Sequence, residues 1–208
     1  GGARCRHAPV QPLSGNSMNK LSVGRYTLAA ALAAGMTLGA PAAYAAVVCA
    51  APSIAVPQNI DGVYINLVTG ATGTTGGTTA GWDFNPYASS SSTLLSFNAA
   101  TGAGYVASGL LITPLSAGTP IDASSTFLTG IQSSATAMAS YRAGVTNANY
   151  LGFRFTEGGN TYYGWISLTT TGPNGFPATL NSYCYENTPN TQITAGTTPV
   201  SLQQFSVD

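Results

Sequence analysis

The residues that could do chemistry in this chain are few. Past residue 45 there is no histidine and no lysine, because His7 and Lys20 both lie before that point. Ser-His-Asp and Cys-His catalysis, Schiff-base chemistry and histidine metal sites are therefore closed to residues 46–208. Two cysteines in that stretch, Cys49 and Cys184, cannot build a cysteine-only zinc site. Paired-carboxylate hydrolysis survives, since it needs only Asp and Glu. Asp83, Glu157 and Glu186 are the carboxylates near aromatic residues. A glycosidase would hold two of them about 5–10 Å apart beside an aromatic that stacks on a sugar. Each also has a plainer reading. Glu157 opens Glu157-Gly158-Gly159-Asn160, a hairpin tip where a charge is simply solvated. Asp83 and Glu186 flank strand residues, where a carboxylate bonds backbone amides or pairs with Arg154. The plainer readings carry more weight, so no catalytic residue is assigned and the chain is read as a non-enzyme. Asp61 and Asp122 could join backbone carbonyls around calcium, but no EF-hand or repeat loop frames them. No metal or cofactor is expected.

The other available chemistry is sugar stacking. Trp82 follows a Gly/Thr loop and precedes Asp83, Asn85 and Tyr87, all able to meet a sugar hydroxyl or ring. A glycan site would use Trp82, Asp83 and Tyr87. The competing reading is that an aromatic run at a strand end plugs the core under a loop. Trp165 stands beside Gly164, which leaves room for a large neighbour; it is expected in the core with one partner for its indole N–H.

The segment before these residues reads as an export signal. From Met18 the chain runs MNKLSVGR, then an 11-residue apolar stretch Leu28–Leu38, then Ala43-Tyr44-Ala45. These are the three regions of a secretory signal peptide, and the apolar run is short of the about 20 residues that span a membrane. Residues 18–45 are read as that signal, with cleavage after Ala45, and residues 1–17 as a non-native or upstream-frame extension. A lipoprotein signal does not fit, because Val48 precedes Cys49 where a small residue is wanted. Residues 46–208 carry all six acidic residues but only Arg142 and Arg154 as cations, a net charge of −4. Such a domain cannot neutralise several phosphates or hold to anionic lipid, so nucleic acid and membrane are excluded as partners. Export to an oxidising compartment leads Cys49 and Cys184 to be expected as a disulfide. The location expected is secreted or periplasmic, in a bacterium.

The elements that would position these residues are strands. Val63, Ile65 and Leu67 alternate with Tyr64, Asn66 and Val68 after Asp61-Gly62. Residues 70–81 form a Gly/Thr loop without an apolar anchor, expected to be mobile. Trp82–Tyr87, Leu94–Phe97, Tyr105–Val106 and Leu110–Ile112 read as short strands, with a serine loop at Ser89–Ser92. Residues 131–144 are weakly helical, or a strand and turn. The strongest signal is a hairpin: Leu151, Phe153 and Phe155 alternate with Gly152 and Arg154, and Tyr162–Leu168 returns across the turn. Ala178–Glu186 and Val200–Val207 complete the pattern. Roughly ten short strands imply an all-β, two-sheet antiparallel sandwich, jelly-roll-like, as a single domain over 46–208.

The strings GWDFNPY at 81–87, NYLGFRFTEGGNTYYGWISLTTT and GFPATLNSYCYENT resemble a group of exported bacterial β-proteins, many of which end in a PEP-CTERM sorting tail. Tyr163-Gly164-Trp165 after an aromatic strand is the clearest mark. The resemblance implies an exported, sandwich-like protein and no particular activity. This chain ends in TPVSLQQFSVD instead of a sorting tail, which favours release. Three functions remain open: a non-catalytic structural or adhesive protein of the cell exterior or extracellular matrix, placed first; a carbohydrate-binding module; and a paired-carboxylate glycoside hydrolase, placed last. Extracellular polysaccharide or other surface proteins are the partners considered.

Overall fold

The computed structural model describes residues 46–89 and 93–199. The expected extension and signal segment, part of the serine loop and the expected strand Val200–Val207 lie outside the described residues. Eight strands of three or more residues build the domain: β1 (Val47–Ala50), β2 (Ile54–Val56), β3 (Phe84–Ala88), β4 (Leu95–Ala99), β5 (Gly104–Ser108), β6 (Tyr150–Glu157), β7 (Asn160–Thr170) and β8 (Ala178–Glu186). Eight further pieces of two residues each finish the ladders. The larger antiparallel sheet runs β1-β8-β7-β6-β5 and ends on Phe127–Leu128. The second runs Ile131–Gln132, β4, β3, Tyr64–Ile65 and Thr72–Gly73. Their apolar faces meet in one core, so the expected all-β sandwich is the observed one.

The β6–β7 hairpin is the middle of the larger sheet. Gly158 and Gly159 take φ of +56° and +81°, the two positive values that a two-residue type I′ connection demands. That turn sets the register Glu157↔Asn160 through Tyr150↔Ser167. Period-two alternation then sends Leu151, Phe153 and Phe155 to the inner face, each at most 1% exposed. Phe84 and Phe97 come from the opposite sheet, and Phe84 lies 6.0 Å from Phe153. The reverse face of the hairpin is covered too. Tyr163, Trp165 and Cys184 form a second cluster with Leu115, Ile121 and Ile193, under the two-stranded pair Pro120–Ile121 and Ile193–Thr194.

Two elements differ from expectation. The strand read over Val63–Val68 shrinks to Tyr64–Ile65. Asn66 ends it: its Oδ1 accepts the N–H groups of Val68 and Thr69 at 2.9 and 2.8 Å, an Asx turn that competes with the ladder. Residues 131–144 split into the strand Ile131–Gln132 and a five-residue helix, Ala139–Ala143. Arg142 pins that helix to β4 and to the preceding turn. Its Nε donates to the Leu95 carbonyl and Nη2 to the Ser133 carbonyl, both at 2.8 Å.

Candidate functional site

Asp83 is placed by the start of β3. Phe84 enters the core, and the N–H of Asp83 before it donates to the Ile65 carbonyl at 2.8 Å. Its Oδ2 accepts the buried Leu67 N–H at 2.8 Å. Asp83 is only 5% exposed, and burial pushes its carboxyl up to about 7, with Glu157 adding to the rise; the Leu67 hydrogen bond pulls the other way and loses. Trp82, next to it, is half-buried and meets Tyr64 edge to face at 4.9 Å. Gly76 lies against the indole so closely that a Cβ there would stand 2.6 Å from Nε1. The Gly/Thr loop is therefore anchored and not free as expected: Gly76 rests on Trp82, Thr79 is buried, and Thr72–Gly73 pairs with Tyr64–Ile65.

A hollow of about 410 Å³ opens here, lined by Gly76, Trp82, Asp83, Thr101, Thr156 and Glu157 among others. Of the sequence-derived glycan residues, the structure brings Trp82 and Asp83 together. Tyr87 does not line this hollow. Its hydroxyl bonds Ser96, and burial raises its pKa. A second hollow, about 260 Å³, begins at the same Glu157 and is lined by Val68, Phe155, Tyr162, Tyr185 and Asn187. Sequence reasoning did not find these residues as a site. The signal for Tyr162 was the hairpin register, which sets it opposite Phe155. Tyr185 needed the further pairing of β8 on β7, opposite Gly164.

The other candidates are occupied with the scaffold. Glu186 is 3% exposed, and its Oε1 accepts the N–H groups of Ala46 and Thr188 at 3.0 and 2.9 Å. The Arg154 guanidinium lies over the Phe127 ring, 4.7 Å from its centroid. Trp165 is buried as expected, with Nε1 donating to the Thr197 carbonyl at 3.2 Å. Cys49 and Cys184 face each other across β1 and β8 and are joined in a disulfide, Cα to Cα 4.1 Å. Asp122 bonds the amide and hydroxyl of Ser124 in a local turn. The described residues contain no group of three or more His, Cys, Asp or Glu placed to hold a metal ion.

These features define an all-β antiparallel sandwich, closed by a cross-strand disulfide, with a carboxylate- and aromatic-lined recess at one end. Comparison with known proteins adds no relative: no family model, no curated protein and no solved structure matches the chain.

The buried Asp83 carboxyl gives a pH prediction. Its folded pKa of about 7 lies above its ordinary 3.8, so the folded state binds a proton more tightly than the unfolded state. Its contribution to stability is full below the unfolded value and is lost as pH rises towards about 7. Asp83→Asn keeps an oxygen acceptor for Leu67 and removes the titration. Urea unfolding across this range is expected to show wild type losing stability relative to Asp83→Asn as pH rises. Parallel curves for the two proteins would refute the assignment.

Proposed function

We propose that the protein is an exported, non-catalytic adhesive or structural β-sandwich of the bacterial cell exterior or extracellular matrix, with polysaccharide or other surface proteins as partners. The observation that supports this best is how the carboxylates are employed. Asp83 accepts one main-chain N–H and Glu186 accepts two, and Glu157 stands in solvent at a hairpin end. A glycosidase needs two carboxyl groups facing the scissile bond, one as general acid and the other as nucleophile or general base. A disulfide suits an oxidising compartment. No helix among the described residues is long and apolar enough to cross a membrane. The likeness of GWDFNPY and YGW to PEP-CTERM-associated proteins points to the same exterior location. The second reading, a carbohydrate-binding module, is favoured by one feature, half-buried Trp82 beside Asp83 in a recess.

Cell fractionation tests the proposal. The protein is expected in the released or matrix fraction, and that fraction is expected to release no reducing sugar ends from its polysaccharide. Protein confined to the cytoplasm would overturn the location. Reducing ends that vanish with Glu157→Gln would overturn the non-catalytic reading.

A further inference from the structure

We propose that the two hollows meeting at Glu157 are one groove that binds an uncharged polysaccharide chain; the proposal rests on the exterior role given above. Glu157 is the residue common to both linings. On one side of it stands an aromatic wall. The Phe155 and Tyr162 rings stack at 5.4 Å, and Tyr185 meets Phe155 edge to face at 5.3 Å. Phe155 and Tyr185 are buried, so the half-buried Tyr162 ring is held on a fixed base. On the other side Trp82 is held by Tyr64 and Gly76. Asp83, Glu157, Thr101 and Thr156 line the hollow beside Trp82, and Asn187 lines the second hollow with Tyr162. The sides are in electrostatic reach of each other. Burial raises the Tyr185 hydroxyl most, and Tyr162, Asp83 and Glu157 raise it further.

Sugar rings have an apolar face and a rim of hydroxyls. Aromatic rings take the first, while carboxylates, hydroxyls and amides take the second. The larger volume, about 410 Å³, falls in the range of small-molecule sites, and the smaller, about 260 Å³, just below it. The charge selects among glycans. Two acidic groups line the groove, and both arginines of residues 46–208 are engaged elsewhere, Arg142 on main-chain carbonyls and Arg154 over Phe127. A uronate or sulfate chain would meet the exposed Glu157 carboxylate with no arginine in either lining to offset it. A protein partner fits less well, because Val68 is the one exposed large aliphatic side chain in either lining and a protein face needs a broader apolar patch.

Affinity electrophoresis of the full folded domain tests this in gels containing galactomannan, xyloglucan, mixed-linkage glucan, hydroxyethylcellulose or alginate. Wild type is expected to be retarded by a neutral polymer and not by alginate. Glu157→Ala and Asn187→Ala change exposed residues and leave the core intact; Glu157→Ala is expected to weaken retardation about tenfold, the size of a lost charge-assisted hydrogen bond. Leu110→Ala, 71% exposed and outside both linings, is the control and should bind as wild type. Retardation unchanged in both Glu157→Ala and Asn187→Ala would place binding elsewhere and overturn the groove, leaving the exterior role intact. Stronger retardation by alginate would overturn the uncharged class. Retardation by none of the polymers would overturn the groove outright, while the exterior role would still stand or fall on fractionation.

Discussion

Phe153→Ala is expected to destabilise the domain by about 3–5 kcal/mol, the range for a large aromatic deleted from a close-packed core. Phe153 is fully buried on β6, the central strand, which is bonded to β7 on one side and to β5 on the other. Its ring lies about 6 Å from those of Phe84, Tyr105 and Phe155, in contacts that reach across to the opposite sheet. These rings are set by strands bonded on both sides, so neighbouring side chains cannot slide in to refill the space. Chemical denaturation with circular dichroism measures the loss. A value below about 1 kcal/mol would mean that the core collapses around the gap, contrary to the rigidity argued here.

Removing the disulfide is expected to have an effect of similar size. Cys49 and Cys184 are 135 residues apart in sequence, so the bond restricts nearly the whole unfolded domain. Chain entropy for a loop of that length gives roughly 5 kcal/mol as an upper figure, and native disulfides commonly yield about 2–5 kcal/mol. Among the described residues β1 is an edge strand, bonded to β8 alone, and the link stands within that ladder. The double change Cys49→Ala with Cys184→Ala should therefore lower stability by about 2–5 kcal/mol and fray β1 first. Hydrogen exchange of the Val47–Ala50 amides resolves the fraying. Unchanged protection there, with a loss under 1 kcal/mol, would show that the ladder holds β1 without the bond.

The hairpin was legible in the sequence because three signals agree: the Glu-Gly-Gly-Asn turn, strict alternation on β6, and a second aromatic run after the turn. The cysteine pairing was legible because residues 46–208 offer only two cysteines. Trp82 and Asp83 could be placed in one site since they are neighbours at a strand entry. Tyr87 could not be excluded by the same reasoning, because sequence proximity does not show which hydroxyl its side chain seeks; it turned to Ser96. The second hollow escaped notice for a physical reason. Phe155, Tyr162 and Tyr185 come together only through two strand registers, and no single window of sequence contains them. The two-residue strands were illegible because alternation needs more than one period to show. The layer behind the large sheet was missed for the same reason, since Pro120–Ile121 and Ile193–Thr194 are each a single step. Asn66 carried a readable warning, as an Asx-turn former inside an alternating run.

The contact between Glu186 and Ala46 gives the proposed cleavage site a second meaning. Cutting after Ala45 would turn the nitrogen that donates to Glu186 Oε1 at 3.0 Å from an amide into a terminal ammonium. A hydrogen bond from a neutral amide would become an ion pair with a carboxylate that is almost wholly buried, and maturation itself would fasten β1 to the end of β8. A chain cut one residue earlier or later would put its ammonium out of place. Such a lock would appear as a terminal amine titrating above the ordinary value of about 8 in the mature protein, and at that ordinary value once Glu186→Gln is introduced. The peptidase would then do more than release the protein: it would supply the domain's only free amine, directly beside a waiting acid.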